Sequence, residues 1–142
     1  MSQSPLLDTH AWIWWLQGDA RLDRRTLDAL DALPGDSRPH LSDISLLEVA
    51  TLVRLGRLEF EDSFEKWLDA AADPRTVRLV PMAPDIVIET TRLPAAFTRD
   101  PADRVIVATS RVMGYPLVSC DKAITQSRLV RRWVPGEGKP AR

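Results

Sequence analysis

Acids at positions 8, 48, 103 and 121 lie beside apolar runs, where a carboxylate is costly unless it caps a helix, meets water or meets a cation. Asp8 stands between Leu6-Leu7 and a segment holding three tryptophans, in the stretch LLDTHAWIWWL. Carboxylates gathered in one pocket repel, and the pKa of some members rises unless a cation neutralises them. Ligation by oxygen alone, with no cysteine pair and no histidine spacing, favours Mg²⁺ or Mn²⁺ over zinc. Such ions suit phosphodiester hydrolysis, because they activate a water and stabilise the attacking and leaving oxygens.

Whether these acids meet depends on the elements that carry them. The apolar patterning predicts a strand at 6–7 and helices over 11–17, stopped by Gly18, and 22–33, stopped at Pro34-Gly35. A short strand follows at 40–41, then an amphipathic helix over 45–54 and another over 62–72. Val77-Arg78-Leu79-Val80 reads as a strand, 84–93 and 101–113 as helices opened by proline, and 116–119 as a fourth strand. A short helix after Asp121 and an edge strand at Trp133-Val134 close the domain, expected over 1–135 with a frayed tail at 136–142. Alternating strands and helices imply crossover connections, hence an α/β fold with a mainly parallel sheet covered on both faces. Ligands bind such sheets at the carboxyl ends of the strands. Asp8 ends strand one and Asp121 follows strand four, while Glu48 and Asp103 lie early in helices that start from the same edge.

Each acid also has a structural reading. Asp8 and Asp121 can be N-caps, worth about 1 kcal/mol each. Ser45-Leu-Leu-Glu48 is formally a capping box, and Asp100-Pro-Ala-Asp103 offers a cap, a first-turn proline and a first-turn acid. Capping alone does not require the four acids to converge.

The chain has 142 residues, enough for one ordinary domain with a sizeable core. One cysteine, Cys120, excludes an internal disulfide framework, and nothing at the N-terminus reads as a secretion signal, so a cytoplasmic protein is expected. No apolar run approaches the roughly 18 residues that cross a bilayer, so no membrane partner is expected. A net charge of −1 argues against holding nucleic acid by bulk electrostatics.

The segments LLDTHAWIWWL, DISLLEVATLVRLGRLEF and LPAAFTRDPADRVIVATSRVMGYPLVSCD together resemble the PIN-domain ribonucleases of the VapC toxin type, over residue 6 to about residue 133. The resemblance implies a PIN-like three-layer α/β/α fold and a Mg²⁺- or Mn²⁺-dependent endoribonuclease cutting structured RNA, tRNA or rRNA by family habit. It carries the acidic cluster onto Asp8, Glu48, Asp103 and Asp121, with Asp8 and Asp103 as the main metal ligands. Asp100 is a weaker candidate, and Thr9 and Ser119 stand where hydroxyls could orient the ligands. A small VapB-like antitoxin that inserts a basic side chain into the pocket, and a homodimer, enter by the same resemblance.

Other residues have plainer readings. Trp12 and Trp15 share a helix face with Leu16 and read as packing. Trp14 points elsewhere, toward an antitoxin groove or a dimer contact. His10 is not expected to serve as a general base, since in a metal-dependent mechanism the cation makes the nucleophile and a helix histidine just past the ligand is expected to face away from it. His40 has no evident partner, and Cys120 reads as a small buried strand residue. Arg99 and Arg104 flank the acidic segment and Arg128, Arg131 and Arg132 cluster near the C-terminus, as an RNA-facing rim or as solvated surface.

Two rivals stay open on the sequence. A phosphoryl-transfer domain of the haloacid-dehalogenase or receiver type also places Asp after strand one, but a dehalogenase needs a second Asp where His10 stands. A receiver needs an acidic pair ahead of its acceptor. The other rival is a non-enzymatic binding module whose acids cap helices.

Overall fold

A computed structural model of the protein describes residues 4–135; the tail expected at 136–142 lies outside the described residues. In chain order the elements are β1 (Leu6–Leu7), α1 (Thr9–Gln17), α2 (Arg24–Asp31), a 3₁₀ turn (Gly35–Ser37), β2 (His40–Ser42), α3 (Ile44–Arg54), α4 (Phe64–Ala71), β3 (Arg78–Val80), α5 (Pro84–Arg92), α6 (Pro101–Met113), β4 (Leu117–Val118) and α7 (Lys122–Thr125). The four strands pair in the order β3-β2-β1-β4, and every pairing is parallel.

Successive strand side chains point to opposite faces, and the two leucines of β1 build two cores. Leu7 joins Leu41 and Val118 against Trp12, Val49 and Leu30, so α1 to α4 cover one face. Leu6 joins Val80 and Leu117 against Ile86 and Ile106, so α5 and α6 cover the other. The result is the three-layer α/β/α arrangement. Strands buried on both faces read as short apolar runs without alternation, which is why two residues suffice for β1 and β4.

Trp12 is fully buried, donates from Nε1 to the Ala71 carbonyl at 3.0 Å and meets the Trp67 ring. Trp15 donates to Asp31 at 2.8 Å and ties α1 to α2. Both therefore pack, as their spacing predicts. His40 stacks flat on Tyr115 at 3.8 Å, and burial with the positive charges of Arg78 and Arg38 pushes its pKa down to about 4.

Several elements differ from the sequence reading for local reasons. The second helix starts at Arg24 because the Asp23 carboxylate caps it, accepting from the Thr26 N–H at 2.8 Å. Ser63 does the same for α4, two residues after the expected start. Ser45 does not cap α3: Asp43 precedes the helix, and Ser45 lies inside it, fully buried, its hydroxyl 2.9 Å from that of Thr9. No edge strand forms at Trp133-Val134; a single parallel bridge joins Leu117 and Arg132. No described helix is long and apolar enough to cross a membrane.

Candidate active site

The carboxyl edge of the sheet opens into a cavity of about 270 Å³ lined by Asp8, Thr9, His10, Trp14, Glu48, Asp100, Asp103, Cys120 and Asp121. All four acids carried over from the family pattern line it, as does Asp100.

Each is positioned by its element. The Asp8 backbone extends the β1–β4 ladder, donating to the Val118 carbonyl at 3.1 Å, and its carboxylate caps α1 by accepting from the Ala11 N–H at 2.8 Å. Asp121 caps α7 through the Ala123 N–H, and Asp100 caps α6 through the Ala102 N–H. For these three acids capping and cavity lining hold together. Glu48 caps nothing: it lies one turn inside α3, whose start the Thr9–Ser45 contact fixes against the start of α1. Asp103 lies in the first turn of α6, which packs on α3. Neither the Glu48 nor the Asp103 carboxylate has a hydrogen-bond partner among the described residues.

Crowding shows in the protonation energetics. Burial pushes the Asp8 carboxyl up to about 6; the Ser119 hydroxyl, the Ala11 amide and His10 pull it back, and Glu48 adds repulsion. Asp103 is pushed up to about 7, by burial first and then by the charges of Asp100, Glu48, Asp121 and Asp8. The Ser119 hydroxyl also accepts from the Asp121 N–H at 3.0 Å, so one side chain braces both ends of the acidic row.

The donors fit a divalent cation. Carboxylate oxygens of Glu48, Asp100 and Asp103 all lie within 4.8 Å of one another. Adjacent ligands of an octahedral Mg²⁺ are roughly 3 Å apart and opposite ones roughly 4 Å, so the three carboxylates would have to draw together to share one ion. The raised pKa values of Asp8 and Asp103, caused by burial first and by neighbouring carboxylates after it, are of the kind a bound cation would offset.

Several residues lie where the sequence reading did not put them. His10 is on the cavity wall, its ring 5.4 Å from that of Trp14, which lines the same wall. Cys120 is exposed beyond the end of β4 rather than buried on it. Arg104 is no rim residue: its guanidinium donates to the carbonyls of Thr90, Leu93, Pro94 and Thr98 at 2.9 to 3.1 Å and so closes the end of α5. Arg131 donates to the Gly114 carbonyl at 3.2 Å, and Arg128 holds a left-handed backbone at φ 61°. One feature the sequence reading missed is the pair Asp19 and Arg21 beside Trp14. Its signal was an acid two residues before an arginine, directly after a helix-stopping glycine.

Over residues 6–129 the chain matches the PIN domain family. The chain is a PIN-domain protein. This PIN domain is 32% identical over 123 residues to Ribonuclease VapC22 of Mycobacterium tuberculosis, covering 87% of this chain and 91% of that protein, and it belongs to the VapC type. Its fold is similar to a chain of a toxin–antitoxin complex from Klebsiella pneumoniae, with TM-score 0.59 and 21% identity over 84% of this chain and 88% of that one. It is also similar to FitAcB from Neisseria gonorrhoeae, with TM-score 0.66 and 20% identity over 93% of this chain and 98% of that one.

Proposed function

We propose that this PIN domain, with domain bounds at 1–135, is a Mg²⁺- or Mn²⁺-dependent endoribonuclease and the toxin half of a type II toxin–antitoxin pair. It acts in the cytoplasm on structured cellular RNA, tRNA or rRNA. The observation that carries this reading is the convergence of Asp8, Glu48, Asp100, Asp103 and Asp121 on one open cavity, two of them with carboxyls held up to about 6 and 7.

By the family pattern Asp8, Glu48, Asp103 and Asp121 would hold the cation; Glu48 and Asp103 have carboxylate oxygens within 4.8 Å of each other and of Asp100, while Asp8 and Asp121 line the same cavity. Bound there, a divalent ion supplies an activated water and charge stabilisation for the scissile phosphate. The chain does the positioning. The Ala11 amide and the Ser119 hydroxyl orient the Asp8 carboxylate, and Thr9 fixes the α1–α3 junction that brings Glu48 to it. A scaffold whose acids only cap helices leaves Glu48 without a role.

The antitoxin partner is supported by the company of this fold, since a similar chain was solved in a toxin–antitoxin complex. A cavity ringed by carboxylates suits insertion of a basic side chain from that partner. For a homodimer, exposed apolar side chains are available at Leu47 on α3 and Leu55 just after it, and separately at Val87 and Ile88 on α5.

The test is to map new RNA ends after purified, antitoxin-free protein meets total cellular RNA in Mn²⁺. A few discrete cuts in tRNA or rRNA are expected. Uniform degradation, or cuts confined to messenger RNA, overturns the substrate assignment.

A further inference from the structure

The cavity wall carries carboxylates but no arginine or lysine. A polyanionic strand entering such a site needs cations at the mouth to offset the repulsion. Arg21 stands there. Its guanidinium lies 4.8 Å from the centre of the Trp14 ring, and Trp14 is itself part of the cavity wall. Three contacts fix the turn that carries it. Gly18 takes the left-handed conformation at φ 63°, the Asp19 N–H donates to the Trp14 carbonyl at 2.9 Å, and the Cys120 thiol donates to the Arg21 carbonyl at 3.7 Å. The Asp19 carboxylate then grips Nε and Nη2 at 3.1 and 2.8 Å. Nη1 has no partner among the described residues, and the side chain is 67% exposed.

A second pair separates the local function of this motif from its placement. Asp73 and Arg75 make the same turn, with the same backbone contact and the same two-point grip at 3.0 and 2.9 Å. That pair precedes β3, at the amino edge of the sheet, and among the described residues no aromatic ring lies against Arg75. The turn is thus a structural device in both places. Only at Arg21 is it set against a cavity-lining indole and tied to the residue beside Asp121.

Resting on the nuclease reading above, the geometry points to Arg21 as a substrate-positioning residue: held by Asp19 and laid on Trp14, it receives a phosphate of the RNA strand flanking the scissile bond. A pre-oriented guanidinium presents planar donors to phosphate oxygens at little entropic cost. It touches the strand rather than the reacting atoms, so it governs binding and leaves the chemical step alone.

The experiment uses full-length protein and a fluorescently labelled RNA fragment spanning one mapped cleavage site. With wild type and Arg21→Ala, cleavage is followed at varied RNA and salt concentrations, with Arg75→Ala as the control for an equal loss of charge and of the same turn. Arg21→Ala is expected to raise KM about five- to tenfold with kcat within about twofold. In an Asp103→Asn background, RNA binding by anisotropy should lose about 0.7 from the slope of log affinity on log salt. Arg75→Ala should match wild type in both. Equal effects of the two arginine variants, or a fall in kcat at constant KM, overturn the assignment. If wild type neither binds nor cuts RNA, the nuclease reading itself fails, an outcome distinct from a normal enzyme indifferent to Arg21.

Discussion

Asp8→Asn is expected to make the metal-free protein more stable at pH 7.5, although it removes a group assigned to the nuclease site. Asp8 is 6% exposed, and burial holds its carboxyl at about 6 against an ordinary 3.8. Below 3.8 both folded and unfolded states carry the proton, and burial is not penalised. Between 3.8 and about 6 the folded state keeps a proton that the unfolded state has released, so stability falls as pH rises. Above about 6 the penalty is complete, and at 1.36 kcal/mol per unit it comes to about 3 kcal/mol. Asparagine keeps the cap, since its oxygen still accepts from the Ala11 N–H, and it carries no charge. Burying the extra amide N–H groups costs about 1 kcal/mol, leaving a gain of about 2 kcal/mol. Urea unfolding in EDTA, followed by far-ultraviolet circular dichroism, reads this directly. At pH 7.5 the variant midpoint should lie above wild type, and the difference should pass through zero between pH 4 and 5, leaving the variant slightly the less stable at pH 4. A variant no more stable at pH 7.5, or a gain equal at both pH values, refutes the argument that burial of an ionised Asp8 strains the fold.

Mn²⁺ should reverse the same strain: at a free concentration 100 times its Kd it stabilises wild type by about 2.7 kcal/mol, and that increment should vanish in Asp103→Asn when thermal unfolding is compared with and without the metal. Arg104→Ala should cost about 3 kcal/mol in urea unfolding by unpairing carbonyls at the end of α5, and Arg104→Lys should not restore it, because an ammonium cannot span the fork that reaches Thr90, Leu93, Pro94 and Thr98. Ser45→Ala leaves the buried Thr9 hydroxyl without its partner and should cost about 1 to 2 kcal/mol in the same assay, with a normal fold by circular dichroism.

The sequence carried the fold where local and tertiary forces agree. Pro101 and Gly114 bracket α6, and its span was legible to the residue because one lacks a useless N–H and the other accepts a left-handed turn at φ 73°. The row of acids was legible because each follows a strand or lies near the start of a helix, positions that topology brings to one edge. What was not legible depends on side-chain contacts between distant segments. Ser45 fits a capping box by spacing alone, yet Thr9, far away in sequence, claims its hydroxyl. Arg104 beside an acid reads as a surface charge, but carbonyls left open by the end of α5 and the following loop draw it inward. The wall position of His10 and Trp14 follows from the way α1 crosses the cavity, which helical spacing does not fix. Nothing in a sequence window says that the turn after Gly18 folds back onto Trp14 and Cys120.

The central claim, that this acidic cavity is a cation-dependent nuclease centre, is tested most directly by incubating purified, antitoxin-free protein with total RNA and Mg²⁺ or Mn²⁺. EDTA, Asp8→Asn and Asp103→Asn samples run beside it, each variant shown to be folded by circular dichroism. Discrete fragments that disappear in all three controls are predicted. Fragments that persist in EDTA, or an Asp8→Asn or Asp103→Asn protein that cuts as wild type does, would contradict the account.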